Sequence, residues 1–268
     1  RRLRTVSGLP RSGPRERRTI ALRSLFLQAA WNYESLQAVG FVWALLPGLE
    51  RLYRDAGRRR ERLLAHLELF NSNPYLSTIA MGVVLRLEHE VARGVAGAEG
   101  RVARLAGVLR GTLGALGDEL FWAGWRPALG AAAATAALLG GGVWTAGAYW
   151  LAYNALTQAI RLRGVSAGYA SGAGIARVLR DPFWRRAAAA TRLGGAAVVG
   201  AALALGALLG LFGGGGRGVG IFLGSVALLG LAARPLGSGG RRLSPALAFL
   251  ALVILLSALT QLSAGMSP

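Results

Sequence analysis

GTLGALGDELFWAGWRP, residues 111–127, decides how this chain is read, because two chemically different halves meet there. Eleven of the twelve acidic residues lie at or before Glu119, and only Asp181 lies beyond it. Glycines at 111, 114 and 117 leave room for close backbone approach, after which Asp118 and Glu119 stand directly against Leu120, Phe121 and Trp122. Carboxylates in such apolar company are costly unless they are paired, hydrogen-bonded or wet. Two readings stay open: a broken or re-entrant membrane helix that lines a site, or an ordinary interfacial loop.

The rest of the composition favours a membrane. Over 268 residues, 53% hydrophobic content, 16% charge and a mean hydropathy of +0.44 are too apolar for an ordinary soluble domain. The expected fold is therefore an all-α polytopic membrane protein. The chain has no cysteine, which excludes disulfides, thiolate metal sites and cysteine nucleophiles. All 31 basic residues are arginine, so there is no Walker or Schiff-base lysine, which argues against ATP-driven transport by this chain. A net charge of +19 raises the question of nucleic acid. Distribution argues against it, since the arginines cluster at 1–23, 51–62, 161–192 and 234–242, beside apolar runs, as in cytoplasmic loops of membrane proteins.

Taken in order, residues 1–19 read as a disordered basic cytoplasmic tail without a secretory signal, and residues 20–110 as amphipathic helices at the interface or on a partner. Apolar spacing from Thr19 to Leu46 predicts one helix ended or bent by Pro47 and Gly48. A second, short helix is expected from Leu63 to Phe70, stopped by NSNP at 71–74, and a third from Tyr75 to about Val95 with a wet end at Arg86, Glu88, His89 and Glu90. After the Gly-rich re-entrant pivot at 111–127, residues 128–268 supply about four transmembrane helices. They fall within 128–160 (interrupted by Gly140 to Gly142), 194–212, 219–233 and 245–262. The arginine-poor turn at Gly213 to Gly216 places that turn and the C-terminus outside, and the arginine-rich loops and N-terminus inside. Gly206 with Gly210 and Gly220 with Gly224 have GxxxG spacing, a weak signal in so glycine-rich a chain.

No enzyme active site assembles from these residues, and neither a metal nor a cofactor is expected. His89 lies in LEHEVAR, which lacks the second histidine of HExxH, and His66 is remote from it in sequence, so both are read as structural residues at the interface. A polar site in an apolar frame is the better candidate: Gln28, Asn32, Glu34 and Gln37 from the first helix, Glu68 and Asn71 from the second, with Trp31, Tyr33 and Phe70 as an aromatic wall. Amides and carboxylates pair well with sugar hydroxyls. A solvated helix face, and ion coordination by Glu34 and Glu68, stay open as alternatives.

AAWNYESLQAVGF at 29–41, HLELFNSNPY at 66–75, LGALGDELFWAGWRP at 113–127 and YNALTQAIRLRGVSAGYASG at 153–172 together resemble, in order and spacing, the IID membrane subunit of mannose-family (mannose/fructose/sorbose) phosphotransferase systems. The resemblance implies a bacterial inner-membrane chain that pairs with a IIC subunit to form a sugar channel, assembled as a trimer of IIC–IID heterodimers. IIA and IIB carry the phosphate, and IIB phosphorylates the hexose on arrival. Asn32, Glu34, Glu68 and Asn71 inherit a sugar-contact role, and Asp118 a site-shaping one. The sequence departs from the family's MGPLAGIGDS pattern at Arg110, Thr112 and Glu119, and Arg110 and Glu119 are placed to change the substrate, to abolish transport or to pair with each other. A non-transporting scaffold or sensor that docks phosphotransferase proteins, and an ion-coupled carrier, are the competing functions.

Overall fold

The structure is a computed structural model that describes residues 11–208. Helices dominate it: α1 (Pro14–Arg23), α2 (Ala38–Leu52), α3 (Ala56–Ala65), α4 (Ser77–Ala92), α5 (Ala98–Gly117), α6 (Arg126–Ala136), α7 (Trp144–Ser171), α8 (Ile175–Leu179) and α9 (Pro182–Leu208). Two compact units divide at Val198/Val199; α1 to α8 and α9 as far as Val198 belong to the first, and the rest of α9 to the second. The tail at 1–10, the turn at Gly213 to Gly216 and the expected spans at 219–233 and 245–262 lie outside the described residues.

The helix α4 is the axis of the fold. Its sequence, STIAMGVVLRLEHEVA, is apolar around most of its circumference, and such a helix must be enclosed. Ala80, Met81, Val83, Val84, Leu85 and Leu87 are all fully buried. On one side α7 crosses it at backbone contact. A Cβ at Gly82 would sit 2.1 Å from the Val165 carbonyl oxygen, one at Gly164 2.0 Å from Thr78 Oγ1, and one at Gly168 2.0 Å from the Ile79 carbonyl oxygen. Only glycine permits that approach. Helices α1, α2 and α5 add Ile20, Phe41, Leu45, Leu49, Leu109 and Leu113 to the same core.

The expected single helix from Thr19 to Leu46 is two helices joined by a folded loop. The tail reading gives way first, because α1 starts at Pro14, where Glu16 accepts from Ser12 Oγ at 2.8 Å and pairs with Arg51 at 3.0 Å. The chain then tightens into a 3-10 turn at Ser24–Phe26 before it leaves the helical path. Asn32 Oδ1 accepts the backbone N–H groups of Glu34 and Ser35 at 3.0 and 2.8 Å, an Asx-type turn that competes with the helix. Leu36 completes the loop at φ 56°, the one non-glycine residue with positive φ among the described residues. Pro47 does not end α2, which runs on to Leu52. A proline at that position orphans the carbonyl of Trp43, four residues earlier. Arg23 Nη1 donates to that carbonyl at 3.2 Å while its guanidinium lies over the Trp43 ring.

The second expected helix is displaced toward the N-terminus. Asp55 caps α3 by accepting the Arg58 N–H at 2.8 Å, so the arginine-rich segment is helical, while residues 67–70 are not. Phe70 is drawn instead to the folded loop, accepting from Gln37 N at 2.8 Å and donating to the Ser35 carbonyl at 3.3 Å. At the end of α4, Glu88 and His89 are buried rather than wet, while Arg86 and Glu90 are half-buried. The pivot is neither a loop nor a break: α5 continues into a π-helix, Asp118–Trp125, and then into α6. The interruption comes later, at Gly140 and Gly142, whose φ values are 98° and 57°. Among the described residues one helix, Pro182–Leu205, is long and apolar enough to cross a membrane; it begins well before the expected Gly194.

The crossing of α4 and α7 is directly testable. Gly82→Ala is expected to destabilise the protein by about 1–3 kcal/mol, because its methyl meets backbone that cannot yield. Gly100→Ala, where nothing lies within 4 Å of an added Cβ, is expected to be neutral or mildly stabilising. Thermal unfolding of the detergent-solubilised variants checks both.

Candidate functional site

A cavity of about 330 Å³ opens between the folded loop, the NSNP segment and the face of α5 that leads into the π-helix. Gln28 and Gln37 come from the loop, Asn71, Ser72 and Asn73 from NSNP, and Arg110, Asp118 and Trp122 from the helical side. The lining is held by side-chain hydrogen bonds. Gln37 Oε1 accepts from Ser72 N at 3.1 Å, fixing the loop to the NSNP turn. Asn73 does three things at once: its carbonyl accepts from Ser77 Oγ at 2.8 Å, its Oδ1 from Tyr75 N at 3.1 Å, and its Nδ2 donates to Asp118 Oδ1 at 3.2 Å. Gly117 makes that reach possible, since a Cβ there would lie 2.3 Å from Asn73 Cβ. The π-helix widens the backbone just where Asp118 enters the cavity, a distortion often found at functional positions. Behind it, Tyr75 packs on Phe121 and shares a 3.0 Å hydroxyl contact with Tyr153.

Four of the seven expected site residues therefore meet: Gln28, Gln37, Asn71 and Asp118. Glu68 lines a neighbouring cavity of about 170 Å³ with Arg62, His66 and Glu99. Glu68 and Asn71 are not on one face of a helix, because the segment between them is extended toward Phe70. Asn32 and Glu34 line neither cavity: Asn32 is spent on folding the loop, and Glu34 is exposed. The aromatic wall is also redistributed. Phe70 is buried on Phe41 at 4.2 Å between ring centroids, whereas Trp31 and Tyr33 stack edge-on at the surface. Arg110 lines both cavities and donates to the Leu69 carbonyl rather than pairing with Glu119.

A charged cluster that the sequence reading missed lies behind the smaller cavity. Glu88, fully buried in α4, accepts from Arg62 Nη2 at 2.6 Å and Nε at 3.2 Å, from Tyr53 Oη at 2.5 Å, and contacts His66 Nε2 at 2.9 Å. Arg62 and His66 are four residues apart, one helical turn, and Glu88 follows directly on the apolar run of α4, flanked by Leu87; those were the available signals. Burial alone would raise the Glu88 carboxyl, but the His66 and Arg62 hydrogen bonds and charges outweigh it and hold the group at about 2. His66 is thus an interior partner of Glu88 rather than an interfacial residue. His89, also buried, has no hydrogen-bond partner on either ring nitrogen among the described residues. Burial first, then Arg51, Arg93 and Arg86, push it down to about 4, so it is neutral at pH 7.

Both groups titrate below their ordinary values on folding, so both contribute stability at neutral pH that is lost on acidification. The His89 contribution falls between pH 6.5 and about 4, and that of Glu88 between 4.5 and about 2. Glu88→Gln is expected to cost about 3–5 kcal/mol at pH 7, because Arg62 stays buried without its counter-charge. It is also expected to flatten the stability profile below pH 4.5. Thermal melts from pH 2.5 to 7 measure both effects.

The description "PTS system mannose/fructose/sorbose family IID component" belongs to the family model that matches residues 14–205. The mannose-specific EIID component of Escherichia coli (strain K12) is 31% identical over 191 residues, covering 69% of this chain and 65% of that protein. The fructose permease IID component of Bacillus subtilis (strain 168) is 33% identical over 152 residues, covering 56% and 54%. The chain thus matches 65% or less of the length of these relatives. Among solved structures, a cryo-EM structure of the mannose transporter ManYZ in complex with microcin E492 aligns with a TM-score of 0.57 at 29% identity, covering 72% of this chain and 70% of the other. A second structure, described only as a membrane protein, aligns with a TM-score of 0.66 at 29% identity and covers 74% and 71%.

Proposed function

This chain belongs to the mannose/fructose/sorbose IID component family of phosphotransferase systems, and from that membership we propose that it forms, with a IIC subunit, the membrane path that delivers a hexose to IIB for phosphorylation. The observation that carries this reading is the polar cavity at the pivot. It offers amides from Gln28, Gln37 and Asn71 beside the Asp118 carboxylate, the groups that bind sugar hydroxyls in pairs, with the Trp122 indole as a wall. The chain does no phosphoryl transfer itself; IIA and IIB carry that chemistry. Glu68 extends the polar lining into the adjoining cavity, and Asn32 and Glu34 act by shaping the loop that carries the two glutamines.

The partner is a IIC subunit, and the assembly a trimer of IIC–IID pairs in the bacterial inner membrane. Exposed apolar residues support a partnered state: Val143, Trp144, Trp150 and Leu151 on and just before α7 are each more than 60% exposed in the isolated chain. Such a surface is too apolar to face water. The N-terminus is cytoplasmic and the C-terminus extracytoplasmic.

Two experiments test the reading. In cells that co-express IIC, IIA and IIB, Asn71→Ala and Asp118→Asn are expected to weaken hexose uptake roughly tenfold to a hundredfold, the loss of one or two charge-assisted or amide hydrogen bonds. Unchanged uptake by variants that still assemble with IIC would overturn the site. For the topology, a reporter after Pro268 is expected to read extracytoplasmic and one near Gly172 cytoplasmic, and the same side for both would overturn the orientation.

A further inference from the structure

The entry to α9 carries a charge distribution that neither the sugar cavity nor the core explains. Arg177 and Arg180 in and after α8, and Arg185 and Arg186 in the first turns of α9, are all exposed, with Arg192 further along the same helix. None of these five takes part in an ion pair among the described residues. The one acid beside them, Asp181, is spent as the cap of α9, where its Oδ1 accepts the Phe183 N–H at 2.8 Å. Five arginines less one aspartate leave a local charge of +4.

Aromatic rings stand at the same level. Trp184 Nε1 donates to the Val178 carbonyl at 3.0 Å and so ties α8 to the start of α9, and Phe183, 62% exposed, packs edge-on against Trp184. From there the helix turns apolar, and only 11% of its most hydrophobic window is buried. Leu193 is 69% exposed. Arginine and tryptophan at the foot of an exposed apolar helix is the arrangement that suits a headgroup layer: guanidinium pairs bidentately with phosphate, the indole sits at the polar boundary, and the aliphatic face meets acyl chains.

We infer that this arginine–aromatic collar binds the headgroups of anionic phospholipids and thereby fixes the depth of α9 in the bilayer. The inference rests on reading α9 as membrane-spanning. A lipid is favoured over an acidic protein or nucleic acid because the charged collar and the apolar surface are continuous along one helix, so one ligand with an anionic head and an aliphatic tail satisfies both.

The test uses the full chain co-purified with its IIC subunit and reconstituted in phosphatidylcholine nanodiscs. Lipids brominated near the headgroup end of the acyl chain are titrated in as phosphatidylcholine or as phosphatidylglycerol. Trp184 is the reporter, isolated by difference from Trp184→Phe. The expected result is quenching by the brominated phosphatidylglycerol at a several-fold lower mole fraction than by the phosphatidylcholine, roughly fivefold for each arginine engaged, with the preference falling as salt rises. Replacing Arg177, Arg180, Arg185 and Arg186 together by glutamine is expected to abolish the preference while leaving quenching by phosphatidylcholine intact. Equal quenching by both lipids in the unmodified chain, or a preference that survives the fourfold substitution, overturns the collar and leaves the membrane helix standing. Loss of the preference in millimolar inorganic phosphate at constant ionic strength assigns the arginines to free anion and also overturns it. Absence of quenching by either lipid overturns the membrane placement of α9 itself.

Discussion

Backbone contact between α4 and α7 is the constraint on which the rest of the described structure depends. Gly82, Gly164 and Gly168 let the two helices approach until the carbonyls of one meet the side-chain-free surface of the other. Enclosing α4 so tightly has a consequence at each of its ends. Toward the C-terminal end, Glu88 cannot reach water, and Arg62, His66 and Tyr53 must come to it. At the N-terminal end, Asn73 satisfies the first turn with its carbonyl and the Tyr75 N–H with its amide oxygen, which leaves its amide nitrogen to hold Asp118. One buried helix thus sets both the stability network and the geometry of the polar cavity.

Arg110 links these two regions. It lines both the larger cavity and the smaller one and is anchored to the Leu69 carbonyl. A guanidinium there adds a fixed positive charge to the cavity lining that also carries Asp118. The π-helix that begins at Asp118 supplies the local widening the carboxylate needs, so the unusual backbone and the polar lining coincide at one residue.

The parts of this fold that were legible in the sequence are those governed by short-range pattern. The apolar run of α4 and the glycine interruption before α7 appeared where expected, whereas NSNP stops no helix, because α3 already ends at Ala65. Helical periodicity from Thr19 to Leu46 misled, because a single asparagine accepting two backbone N–H groups outweighs the spacing of apolar residues, and because Phe70 offers the loop partners from outside it. Pro47 misled in the opposite sense, since the carbonyl it orphans finds Arg23, twenty positions away. The Glu88 cluster was hidden for a related reason: a carboxylate reads as wet until its cation, twenty-six positions away, is seen to be folded onto it. Of the candidate site, Gln28, Gln37, Asn71 and Asp118 were nameable from residue type, while Asn73 and Arg110 matter through contacts that only the tertiary structure brings about.

On the proposed function, the sugar passes the cavity between NSNP and the π-helix of this chain. Photolabelling tests it most directly. A hexose analogue carrying a small diazirine, added to the assembled IIC–IID complex and irradiated, is expected to leave adducts on peptides that contain residues 71–74 and 110–122, and unlabelled hexose is expected to suppress them. Saturable adducts confined to the IIC subunit, with none on these two segments, would contradict the account.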